Sequence, residues 1–94
     1  MTDTPQGTPW RIMTDIERMV FETIAEIQGS KRESGRFPDY AMMEEVLNSL
    51  RPKLGPRFDS LKEEAVGALR KLCREKRIEY HLTINKLLMF GIKN

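Results

Sequence analysis

Cysteine is nearly missing: Cys73 stands alone in a chain of 94 residues. A single thiol closes no internal disulfide and offers no pair for a thiolate metal site. Cys73 lies inside an apolar helical pattern, which predicts a small core residue and fits a reducing, intracellular setting, the cytoplasm. Histidine is as scarce, with His81 only. One imidazole and one distant thiol make neither a metal cluster nor a nucleophilic pair, and the strand alternation places His81 outward. No dinucleotide or phosphate-loop glycine motif occurs. Gly29-Ser30-Lys31 lacks the glycine five residues earlier that a phosphate loop requires. The paired acids Glu44-Glu45 and Glu63-Glu64 have no partner constellation for acid–base work. These gaps predict a chain that is not an enzyme and that uses no cofactor, metal or small-molecule substrate.

Long apolar runs are missing too. The longest, Leu87-Leu88-Met89-Phe90-Gly91-Ile92, has strand length, well short of the roughly 18 residues that cross a bilayer. Met1 to Pro9 is polar, which reads against a secretory signal and, with two prolines and a glycine, predicts a flexible arm over residues 1–12. Residues 13–94 fit one domain. A chain this short buries only about two thirds of its unfolded surface, so most of its large apolar side chains are needed for packing.

What is present is uneven. Residues 1–50 carry five basic and nine acidic side chains, residues 51–94 eleven basic and five acidic. A basic half opposite an acidic half predicts one face suited to a polyanion. The plainer alternative is chance clustering on solvated faces.

Apolar periodicity predicts the elements. Thr14-Asp15-Ile16-Glu17 is a capping-box pattern, and Ile16, Met19, Val20, Ile24 and Ile27 form one stripe of a helix over 14–29, ended by Gly29. A polar loop follows, with Phe37 its one apolar member and the place for a very short strand. Pro38 suits the first turn of a second helix, 38–51, with Tyr40, Met43, Val46, Leu47 and Leu50 inward and a stop or kink at Pro52. Leu54 to Phe58 reads as a turn. Ser60-Leu61-Lys62-Glu63 is a second capping-box pattern, opening a helix over 60–75 whose apolar face is Leu61, Ala65, Ala68, Leu69 and Leu72. The period then drops to two. Ile78, Tyr80 and Leu82, then Leu88, Phe90 and Ile92, predict a hairpin over 77–82 and 87–92, turning at Thr83-Ile84-Asn85-Lys86. The expected core sets Leu69 and Leu72 among Ile24, Val46, Leu47, Tyr80 and Phe90.

Helix, loop, helix, turn, helix, hairpin is an order that resembles the winged helix-turn-helix family of DNA-binding domains. The local stretch Leu61-Lys62-Glu63-Glu64-Ala65-Val66-Gly67-Ala68-Leu69-Arg70-Lys71-Leu72, running on through Cys73 to Tyr80, resembles that family's recognition helix entering its wing. The resemblance spans roughly Thr14 to Lys93 and implies a mainly α fold with three helices and a C-terminal hairpin, binding double-stranded DNA through the third helix and the wing. The small size of the chain suggests a regulator of transcription or of a mobile element.

The residues themselves agree in part. With the leucines inward, the opposite face of the third helix carries Lys62, Gly67, Arg70, Lys71 and Arg74. Arg70 and Arg74 lie one turn apart, able to reach phosphates or guanine edges. Major-groove readers mostly use the N-terminal part of the recognition helix, and here that part holds Glu63 and Glu64. Phosphate contact by Arg70, Lys71 and Arg74 is therefore expected before base reading. An ordinary solvated face is the alternative. Gly67 costs about 1 kcal/mol against Ala in a helix. It either permits close approach of a nucleic acid or relieves crowding against the second helix. Lys53 and Arg57 stand where a backbone clamp would be, Arg57 and Ser60 as a phosphate pair at a helix N-terminus, and Lys86 at the hairpin tip. A protein–protein interaction module on the same scaffold, or a homodimer, is the competing expectation.

Overall fold

Thr14 opens the first helix as its pattern requires. In the computed structural model, which describes residues 13–92, Glu17 N–H donates to Thr14 Oγ1 at 3.1 Å, and Thr14 N–H donates to Glu17 Oε1 at 3.0 Å. The expected arm, 1–12, lies outside the described residues. Helix α1 spans Asp15–Glu33 and runs through Gly29. Its stop is Gly35, at φ +71°. There Gly35 N–H donates to Arg32 O and Arg36 N–H to Lys31 O, at 3.1 and 2.8 Å, the paired bonds of a Schellman ending that glycine accommodates best. The first glycine after an apolar stripe is thus not its terminator unless the chain can turn left-handed there.

The second helix begins later than expected. Pro38 lies in the connecting loop, Ala41–Met42 forms strand β1, and α2 covers Met43–Leu54. Lys31 fixes this junction. Its Nζ donates to Tyr40 O at 2.8 Å and to Glu45 Oε1 at 2.7 Å, while Glu45 also accepts from Met42 N–H. Burial alone would raise the Glu45 carboxyl, yet the bonds from Lys31 and Met42 hold it below its ordinary value.

The expected turn at 54–58 is instead helical. α2 passes into a 3-10 turn at Gly55–Arg57 and directly into α3, Phe58–Arg74. Leu54 and Phe58, both buried, anchor the join, and Arg51 lies over the Phe58 ring at 4.4 Å. The capping box expected at Ser60 does not form, because helical turns already precede it. Ser60 Oγ donates instead to Arg57 O at 3.0 Å.

After α3 come β2, Glu79–Leu82, and β3, Leu88–Gly91. The sheet is antiparallel in the order β1-β3-β2, with Ala41 opposite Phe90 on one side and Tyr80 opposite Phe90 on the other. The chain is thus mainly helical, with a small three-stranded sheet weighted to its C-terminal end. Val20, Ile24, Val46, Leu50, Leu69, Leu72, Ile78 and Phe90 make the core.

Two expectations about that core need correction. Leu47 is only half-buried, and Tyr80, expected beside Leu69 and Leu72, is 57% exposed. Tyr80 and Leu82 share the face of Phe90 but stand on the outer strand, beyond the helices' cover. The opposite face is roofed by Tyr40, whose hydroxyl donates to Glu79 Oε2 at 3.0 Å and whose ring lies 5.4 Å from that of His81. To reach them it crosses Gly91, where a Cβ would lie 2.8 Å from the ring and from the Gln28 amide nitrogen.

Candidate nucleic-acid interface

The exposed side of α3 is divided along its length. At about 100° per residue, Asp59, Glu63, Gly67, Arg70 and Arg74 share one arc, all exposed. The acidic residues occupy its first half and the arginines its second. Arg70 and Arg74 have no carboxylate within 4.0 Å among the described residues, and neither do Arg57, Lys62 and Lys86, which are also exposed. Arg70 and Arg74 border a shallow cleft between α3 and the hairpin, floored by Leu69, Cys73 and Phe90 and walled by Tyr80 and Leu88. Burial pushes the Cys73 thiol up, which favours its protonated form.

Two expected contributors are occupied. Lys71 Nζ meets Glu17 Oε2 at 3.0 Å. Glu17 is buried, and its carboxyl is held below the ordinary value by the Thr14 backbone bond and then by Lys71. Lys71 thus fastens α3 to the start of α1. Lys53 Nζ donates to Thr23 Oγ1 at 2.7 Å and Glu26 Oε1 at 2.8 Å, tying α2 to α1. Neither lysine stands at the centre of a free basic surface. The Arg57–Ser60 phosphate pair also fails as drawn. A helix end attracts anions through unpaired N–H groups, and here Phe58 N–H already donates to Gly55 O.

Gly67 faces solvent, and a Cβ built on it meets nothing within 4 Å. It relieves no crowding against α2. At the hairpin tip Lys86 N–H donates to Thr83 O at 2.8 Å, and Lys86, rather than Asn85, takes the positive φ of +63°.

The hairpin holds a feature that periodicity did not reveal. Tyr80, Leu82, Ile84, Leu87 and Leu88 are exposed, Ile84 at 98%. Alternation assigns a strand residue to a face, and only the neighbouring elements decide whether that face is covered. Among the described residues no three His, Cys, Asp or Glu side chains group to hold a metal ion, and no helix is long and apolar enough to cross a membrane. Comparisons with family models, with characterised proteins and with solved structures return no match to this chain.

Proposed function

We propose that this chain is a DNA-binding domain of the winged helix-turn-helix kind, gripping duplex phosphates with the second half of α3 and the hairpin. One observation carries the reading. Arg70 and Arg74 are exposed, one turn apart and unpaired among the described residues, while Lys31, Arg32, Lys53, Lys71 and Arg77 are paired with carboxylates of the chain. The order α1-β1-α2-α3-β2-β3, with β1 on β3, supports the fold part of the proposal. Arg57 and Lys62 toward the start of α3, and Lys86 at the hairpin tip, are further exposed cations with no carboxylate within 4.0 Å among the described residues. Asp59 and Glu63 oppose base reading by the first turns of α3, so binding is mostly sequence-independent. Such a domain acts inside the cell, as a regulator of transcription or of a mobile element. Titrating the chain with random duplex DNA at several salt concentrations tests this. Affinity is expected to fall steeply as salt rises, since bound cations displace counterions from phosphate. Binding that is absent, or indifferent to salt, overturns the proposal.

A second reading has its own observation. The exposed apolar side chains of the hairpin suit a protein partner better than a phosphate backbone. On this reading the chain is an interaction module, and its binding tolerates salt.

A further inference from the structure

The sheet has two edges, and only one is open. β1 is two residues long and passes at once into α2. β2 is longer, and its outer side carries unpaired backbone groups that the ladder geometry identifies. Thr83 N–H donates to Leu87 O at 2.8 Å, which makes Thr83 and Leu87 a hydrogen-bonded pair. Such pairs alternate along an antiparallel ladder, so His81 with Met89 and Glu79 with Gly91 bond inward. Tyr80 and Leu82 therefore point their N–H and C=O groups away from β3. Ile78 would be next in that series, but its N–H already donates to Leu72 O at 3.4 Å, and α3 ends beside it. The free edge is Tyr80 to Leu82.

Edge strands of natural proteins are guarded by lysine, proline, bulges or a covering element. β2 has none of these. Its one charged residue, Glu79, is turned toward Tyr40. Its outward-bonding residues, Tyr80 and Leu82, are large, apolar and exposed.

We propose that β2 pairs with β2 of a second copy of this chain, antiparallel, about a two-fold axis through His81. The register follows from the free groups. In a self-pair each outward-bonding residue must meet another, and with Ile78 excluded the register that uses both sets Tyr80 opposite Leu82 of the other copy, twice. Four backbone hydrogen bonds form and every outward group of β2 is matched. Two three-stranded sheets become one of six. On one face each Tyr80 packs against a Leu82, an aromatic–aliphatic cross-strand pair of the stabilising kind. On the other face the two His81 side chains are opposite, each with Nε2 3.9 Å from Glu79 Oε1 of its own chain. The match of the four free groups at Tyr80 and Leu82, with both Tyr80–Leu82 pairs on one face, is what a second copy offers over an arbitrary strand, and it satisfies the isologous rule for two-fold contacts. The inference stands on the sheet edge and does not depend on DNA binding.

Sedimentation of the full chain over a concentration series is the test, with no DNA present. A reversible dimer is expected. Leu82→Pro removes one outward donor and no bond to β3, a position where an edge strand tolerates proline. It is expected to weaken dimerisation by at least about tenfold while circular dichroism stays unchanged. Leu82→Lys, a guarded edge, keeps the test open should the proline variant misfold. In a Cys73→Ser background, His81→Cys is expected to form an intermolecular disulfide on oxidation, because residues of a non-hydrogen-bonded pair lie about 4.5 Å apart at Cα. Asn85→Cys, at the hairpin tip, is expected to cross-link far more slowly. A parent that stays monomeric, a Leu82→Lys variant that dimerises like the parent, or equal cross-linking at positions 81 and 85 overturns the proposal.

Discussion

In the helical body Val20, Ile24, Val46, Leu50, Leu69 and Leu72 are each 2% exposed or less. In the hairpin Tyr80, Leu82, Ile84, Leu87 and Leu88 range from 38% to 98%. The hairpin is the more apolar of the two regions in sequence, yet among the apolar residues of its strands and turn only Ile78 and Phe90 are fully packed into the core. The three helices bury one another's stripes together with Ala41, Ile78 and Phe90. An outer strand has a partner on one side only, and its apolar residues remain a surface. The body holds most of the buried core, and the hairpin and the outer face of α3 are the surfaces to which we assign the proposed binding.

The largest effect expected is in the body. Leu69→Ala empties a packed site and is expected to cost roughly 2–5 kcal/mol, a large share of a small domain's total. Ile84→Ser, in the hairpin, is expected to change stability by less than about 0.5 kcal/mol, as exposed positions do. Chemical denaturation of both variants tests the comparison, and equal losses would break it.

Gly91 lies where the two regions meet. Gly91→Ala puts a methyl against the Tyr40 ring and Gln28 and is expected to cost about 1–3 kcal/mol, the range of overpacking. A neutral result would mean that Tyr40 moves freely off the sheet.

Glu17 holds α1 to α3. Its carboxyl is lowered from the ordinary 4.5 in the folded chain, so the folded state favours the ionised form. That contribution is complete above the ordinary value and is lost as pH falls from there through the lowered folded value. Glu17→Ala is expected to destabilise the chain by about 1–3 kcal/mol near neutral pH, as loss of a buried hydrogen-bonded group does. The gap from the parent is expected to narrow in acid, and an unchanging gap across a pH series of melts would contradict the role given to this carboxylate.

The smallest effect in stability carries information about binding. Gly67→Ala is expected to raise stability by up to about 1 kcal/mol, since its Cβ meets nothing. If nucleic acid approaches the helix there, Gly67→Leu is expected to weaken DNA binding while the fold is kept. Unchanged affinity would move the contact away from the middle of α3.

Much of the fold was legible in the residues. Thr14 with Glu17 marked the start of α1, the leucine spacing marked α3, and the drop to a period of two marked the hairpin. The misses have physical reasons. Strand β1 is two residues whose strand character comes from pairing with Met89 and Phe90, a long-range contact that no local pattern encodes. Ser60 met the capping pattern, but Leu54 and Phe58 bury together and carry the helix through. Tyr80 and Phe90 have the same alternation, and only strand order separates the buried one from the exposed one. At the proposed site, the exposure of Arg70 and Arg74 on one side of α3 could be read from the helical spacing. That Lys53 and Lys71 are occupied could not, because Glu26 and Glu17 reach them from another helix.

We propose that Arg70 and Arg74, unpaired among the described residues, hold duplex phosphate while the paired cations hold the fold. The most direct test is the salt dependence of DNA binding in Arg70→Ala/Arg74→Ala beside Lys53→Ala. The double variant is expected to stay folded, bind more weakly, and lose about 0.9 of slope in the log–log salt plot for each phosphate contact removed, whereas Lys53→Ala keeps the parent's slope. A double variant that binds duplex with the parent's affinity and slope would contradict the account.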